Sequence, residues 1–120
     1  MKQAVFSTSA LPVTDFCGVS LHTYTLESDC MLPTFHVGDT VGLRPCGGFI
    51  GEGVYLLQSL DTGAILLRRV CLSLKGLRLV CDNPIYRDID LRTEELYRHF
   101  RFIGKTALQC RFFEQVEAVQ

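Results

Sequence analysis

Thiols and imidazoles are the side chains of this chain best suited to chemistry, and their spacing decides which chemistry. There are six cysteines (Cys17, Cys30, Cys46, Cys71, Cys81, Cys110) and three histidines (His22, His36, His99). No Cys-x-x-Cys pair occurs and the gaps fit no zinc pattern, so neither a metal nor a cofactor is expected. Cys30 lies in Asp29-Cys30-Met31-Leu32-Pro33, a short turn or helical piece around Pro33 that runs on into a turn at Gly38-Asp39. A thiol is already slightly ionised at neutral pH, so a cysteine can attack electrophiles without a strong base. His36 follows Cys30 by six residues, but on a turn it reads as a surface residue rather than a catalytic partner. Asp29 reads as a turn-forming acid that accepts backbone N–H bonds. Cys71 and Cys81 fall in strand-like segments, where a free cysteine behaves as a small buried hydrophobe.

The elements that must position these groups follow from pattern and composition. The chain has 120 residues, 48% hydrophobic and 21% charged, with a net charge of −1. That fits one folded domain and argues against disorder. It supplies no overall field to draw the protein to nucleic acid or an anionic membrane. No apolar run reaches transmembrane length, and Ala4-Val5-Phe6 is too short for a secretory signal. A reduced, cytoplasmic setting is expected, because a chain of this size can build a core without disulfides. Residues 1–16 read as an arm or linker and 17–120 as the domain. Strands are expected at Val19–Glu27, Thr40–Arg44, Gly53–Ser59, Ala64–Leu72, Leu77–Cys81 and Ile103–Phe113. Asp61-Thr62-Gly63 is a hairpin signal, and Thr93 is expected to cap one short helix near 93–100. The fold class is therefore mostly β, a compact barrel or sandwich of short strands. Neither Gly38-Asp39 nor Asp61–Gly63 opens a helix after a strand, so neither reads as a phosphate loop. The arginines of 98–111 read as a solvated surface. Of the consecutive aromatics Phe112 and Phe113, one is expected in the core and the other at a subunit contact.

Four landmarks then fall in a familiar order. Asp29-Cys30-Met31-Leu32-Pro33 with Gly38-Asp39 resembles the Gly-Asp-Ser-Met-x-Pro…Gly-Asp nucleophile turn of the LexA/phage-repressor C-terminal domains, the S24 self-cleaving peptidases. Leu67-Arg68-Arg69-Val70 resembles their hydrophobic-Lys-Arg-hydrophobic strand. Asp82-Asn83-Pro84-x-Tyr86 is similar to their Ser-(Asp/Glu)-Asn-Pro-x-Tyr loop, and Ile103-Gly104-Lys105 to their closing strand. The resemblance spans about Val19 to Phe113. It implies a LexA-like fold whose Ser-Lys dyad is replaced by Cys30 and Arg68. In the family a neutral lysine takes the serine proton, which burial permits by lowering its pKa. Arginine cannot follow, because its pKa exceeds ~12 and it stays charged in proteins. Arg68 could favour a Cys30 thiolate; the plainer reading has Cys30 filling the old serine pocket and Arg68 pairing with an acid or a carbonyl. Cys17-Gly18 resembles the bond the family cuts. At ~3.3 Å per residue, however, the intervening strand carries it away from Cys30.

The resemblance thus implies a non-cleaving oligomerisation domain of a phage-type or SOS-type repressor. It would pair with itself, through the C-terminal strand, as a homodimer or higher oligomer. DNA would be reached only through a separate helix-turn-helix domain, since no recognition-helix pattern is visible. The alternatives are a cysteine-dependent autopeptidase, and a standalone UmuD-like accessory or antirepressor protein that binds another protein. No membrane partner is expected.

Overall fold

Val54-Tyr55-Leu56-Leu57 is buried along its whole length, and the rest of the architecture follows from that run. Neighbouring strand residues point to opposite faces. A strand buried at every position must therefore have a core on each side. The computed structural model describes residues 11–16 and 18–111. They form β1 (Val13–Phe16), β2 (Val19–Thr25), β3 (Thr40–Pro45), β4 (Gly53–Ser59), β5 (Ile65–Leu72), β6 (Leu77–Val80), β7 (Ile89–Leu91), α1 (Thr93–His99) and β8 (Phe100–Cys110). The strands make one antiparallel sheet in the order β1-β2-β3-β8-β4-β5-β6-β7. The sequence reading expects a barrel or sandwich. The mostly-β class with one short helix holds for the described residues, whose strands lie in a single antiparallel sheet with β1 and β7 at its ends.

One core joins Val54 and Leu56 to Val41, Leu43, Leu67 and Ile103, and is covered by Leu26, Met31 and Phe35 from the segment between β2 and β3. The other joins Tyr55 and Leu57 to Val70, Leu77, Leu79 and Phe102, and is covered by Leu96 of α1. Phe102 meets Tyr55 edge-on at 5.1 Å between ring centres.

β8 is what makes one sheet of two halves. Its first part pairs with β4 from Phe100 to Lys105, and its later part with β3 from Gly104 to Cys110. Among the described residues it is therefore central, with a neighbouring strand on each side, so a subunit contact through the C-terminal strand cannot use edge pairing there. Phe112 and Phe113, at its expected end, lie outside the described residues. β8 also begins at Phe100, directly after the helix, instead of at Ile103. Val13–Phe16, inside the segment expected as an arm, pairs with β2. β7, which the pattern does not predict, adds to β6. Thr93 is the first residue of the helix and not its cap; Arg92 holds the capping position without a side-chain bond. Among the described residues, no helix is long and apolar enough to cross a membrane.

Candidate functional site

The turn from Ser28 to Phe35 is pinned by a loop distant in sequence. Its own bonds are few: Leu32 N–H donates to the Asp29 carbonyl at 3.2 Å and Phe35 N–H to the Met31 carbonyl at 2.9 Å. Met31 and Phe35 are buried and anchor it to the core. The 82–86 loop supplies the rest. Asn83 donates its backbone N–H to the Cys30 carbonyl at 3.0 Å and its side-chain amide to the Asp29 carbonyl at 3.0 Å. Tyr86 donates its hydroxyl to the Asp29 carboxylate at 2.6 Å, and that bond pushes the phenol's pKa up. The Asp29 side chain thus engages Tyr86, where the sequence reading assigns it to backbone N–H groups. Asp82 completes the clamp. Arg69 grips it through two bonds of 2.9 and 2.7 Å, and Thr34 donates to it at 2.6 Å. The Arg69 bonds and the Thr34 hydroxyl hold the Asp82 carboxyl below its usual range against the opposing effect of burial.

Cys30 and Arg68 line one cavity of about 50 Å³, together with Ser28, Glu27, Tyr24, Leu26 and Ile65 among others. Cys30 is 8% exposed. The Ser28 hydroxyl accepts the Cys30 N–H at 3.3 Å and donates to the Cys30 sulfur at 3.0 Å. Arg68 donates one guanidinium N–H to the Leu67 carbonyl at 2.8 Å. Neither described lysine lines this cavity. Lys105 lies over the Tyr55 ring, 5.6 Å from its centre, and Lys75 borders a separate polar hollow with Arg92, Glu94, Glu95 and Arg98. A thiol is present here, and among the described residues no lysine lines the cavity beside it.

The remaining sequence-chosen residues serve the frame. Pro33 follows a cis peptide bond and is exposed, as is Pro84. Gly38 adopts a φ of +91°, a conformation cheap only for glycine. Its N–H donates to the Leu26 carbonyl at 2.9 Å. Asp39 is buried at 2% exposure. It accepts two bonds from Arg111 at 2.9 and 2.8 Å, one from Gln109 at 3.0 Å and one from the His36 N–H at 2.9 Å. The Arg111 guanidinium first, then the His36 and Gln109 bonds, hold its carboxyl far below the ordinary range against burial. His36 does not line the Cys30 cavity, and His99 instead meets Asp61 at 3.0 Å. His22 is half-buried with Nδ1 unpartnered. Phe112 and Phe113 lie outside the described residues, as does Cys17.

Sequence reasoning missed Arg69 and Arg111 as the partners of Asp82 and Asp39. The one available signal was two acids in turn motifs matched by arginines on strands. Among the described residues no group of His, Cys, Asp and Glu could hold a metal ion. The chain matches no protein-family model and no curated protein.

Proposed function

We propose that this is a non-cleaving, S24-like assembly domain, whose role is to pair subunits of a repressor that reads DNA through a separate helix-turn-helix domain. The observation that carries the reading is the cavity shared by Cys30 and Arg68, which no described lysine lines. A guanidinium there cannot accept a proton, so amide hydrolysis lacks its base. The clamp of Asn83 and Tyr86 on Asp29 keeps the turn built even though the chemistry is withdrawn.

An assembly role draws support from the other half of the sheet. Phe16, Val19, Leu21, Ala107 and Leu108, together with Arg44, line a mainly apolar groove of about 210 Å³. It borders β1, which among the described residues is an end strand with one side unpaired. A second copy is the natural occupant, because two such edges can pair antiparallel about a twofold axis and cover both grooves.

Two measurements test the proposal. Incubation of the purified chain at alkaline pH should leave its mass unchanged; a specific internal cut would overturn the non-cleaving reading. Sedimentation equilibrium across micromolar concentrations should show self-association that Val19→Glu weakens. A strict monomer would remove the assembly role.

A further inference from the structure

We propose that Cys30 and Cys81 form a peroxide-reactive thiol pair that closes into an intramolecular disulfide. This modification site does not depend on the assembly reading. Three geometric facts bring the residues together. Val80 stands opposite Arg69 in the sheet, so Cys81, one residue on, arrives beside Arg68. Arg68 and Cys30 line the same cavity. Asn83, two residues beyond Cys81, donates its backbone N–H to the Cys30 carbonyl at 3.0 Å. The two thiols are thereby brought near enough for Cys30 and the Arg68 charge both to act on Cys81. Both cysteines are free.

The surroundings distinguish their roles. Because the Ser28 hydroxyl accepts the Cys30 N–H, its own proton is aimed at the Cys30 sulfur. That donor is in place for negative charge developing on sulfur, so Cys30 is the attacking thiol. Burial pushes the Cys81 thiol pKa up against the opposing Arg68 charge, and Cys81 is therefore assigned the resolving role. The cavity of about 50 Å³ exceeds the ~10–15 Å³ that one water needs by the same measure and can admit a small hydroperoxide.

The chemistry balances with hydrogen peroxide as oxidant. Cys30 thiolate attacks one peroxide oxygen; an S–O bond forms and the O–O bond breaks. The departing hydroxide takes up the proton Cys30 released, giving water. The Cys81 sulfur then attacks the sulfenic sulfur; an S–S bond forms and the S–O bond breaks. The second hydroxide leaves with the Cys81 proton as water. Two thiols lose two electrons, and one peroxide becomes two waters. The product ties the Cys30 turn covalently to the end of β6.

The test treats the purified full chain with hydrogen peroxide, alkylates the remaining thiols and maps linked peptides by fragmentation mass spectrometry. A Cys30–Cys81 link should dominate and vanish on reduction. It should be lost in Cys30→Ser and Cys81→Ser but kept in Cys71→Ser and Cys110→Ser. Mapping of the unsubstituted chain decides the matter even if a variant fails to fold. Full alkylation of both thiols after peroxide, over-oxidation of Cys30 with Cys81 still alkylatable, or a dominant link between other cysteines would each overturn the proposal.

Discussion

Asn83 holds Asp29 across 54 positions of chain, its side-chain amide donating to the Asp29 carbonyl at 3.0 Å. Its backbone N–H takes the next carbonyl, that of Cys30. Asn83 is itself 8% exposed, so water is poorly placed to replace it. Substituting Asn83→Ala leaves a carbonyl in the turn without its donor. The expected cost is about 1–3 kcal/mol, read as a lower urea midpoint at unchanged slope. Asn83→Asp keeps the shape and loses the donor, so it should fall in the same range; a variant as stable as the parent would contradict the clamp.

The two-sided burial of β4 makes a graded prediction. Leu56 is fully buried, and Leu56→Ala should cost about 2–5 kcal/mol. Tyr55→Phe removes a hydroxyl that accepts the Ile50 N–H at 2.9 Å and donates to the Gly51 carbonyl at 2.6 Å. It should cost about 1–2 kcal/mol. Leu72, on the neighbouring strand, is 67% exposed, and Leu72→Ala should stay within about 0.5 kcal/mol. Chemical denaturation of the three variants checks the order, and a large loss at Leu72 would refute it.

Those strands were legible for a reason the missed ones lacked. Val54–Leu57 and Leu66–Leu67 are apolar runs flanked by glycine turns, so burial had written itself into composition. β1 is an end strand with three of its four residues exposed, and no core selects alternation there. β7 is three residues long and sits among Asp88, Asp90 and Arg87, where charge hides the pattern. The mixture is informative in retrospect, since Arg78 on β6 grips Asp90 on β7 at 3.0 and 2.8 Å. At the site, Cys30, Arg68, Asn83 and Tyr86 were legible because each sits in a short motif. Arg69 and Arg111 were not, since an arginine's partner is fixed by tertiary approach. Nor could the sequence place Cys81 beside Cys30, 51 residues apart by number.

Gly104 marks the point where β8 passes from β4 to β3, pairing with Leu56 on one side and Pro45 on the other. A Cβ there would lie 2.8 Å from the Arg44 carbonyl oxygen and 3.2 Å from the Leu43 Cβ. Backbone on a central strand cannot swing aside as an exposed side chain can. Gly104→Ala should therefore destabilise by about 1–3 kcal/mol through overpacking. By contrast, a Cβ at Gly47 meets nothing within 4 Å, and Gly47→Ala serves as the neutral control in thermal melts. Equal melting temperatures for the two variants would show that β8 has slack at this crossing.

Asp39 gives the fold a defined response to acid. Its carboxyl is held far below the ordinary value of 3.8, chiefly by Arg111. The native state therefore keeps the charge at pH values where the unfolded chain has already taken a proton. Proton uptake by the unfolded state lowers stability as pH falls. The contribution is complete above the unfolded value of about 3.8 and is lost progressively as pH drops from there toward the native value. Asp82, held down by Arg69, acts in the same direction. Asp39→Asn should cost about 1.5–3 kcal/mol at neutral pH, the range for hydrogen bonds to a charged group. It should also flatten the fall in urea midpoint between neutral pH and strong acid. Arg111→Gln removes the two Arg111 bonds from the other side and should flatten that fall too. If both variants kept the parent's acid slope, the charge on Asp39 would not be what ties β3 to the end of β8.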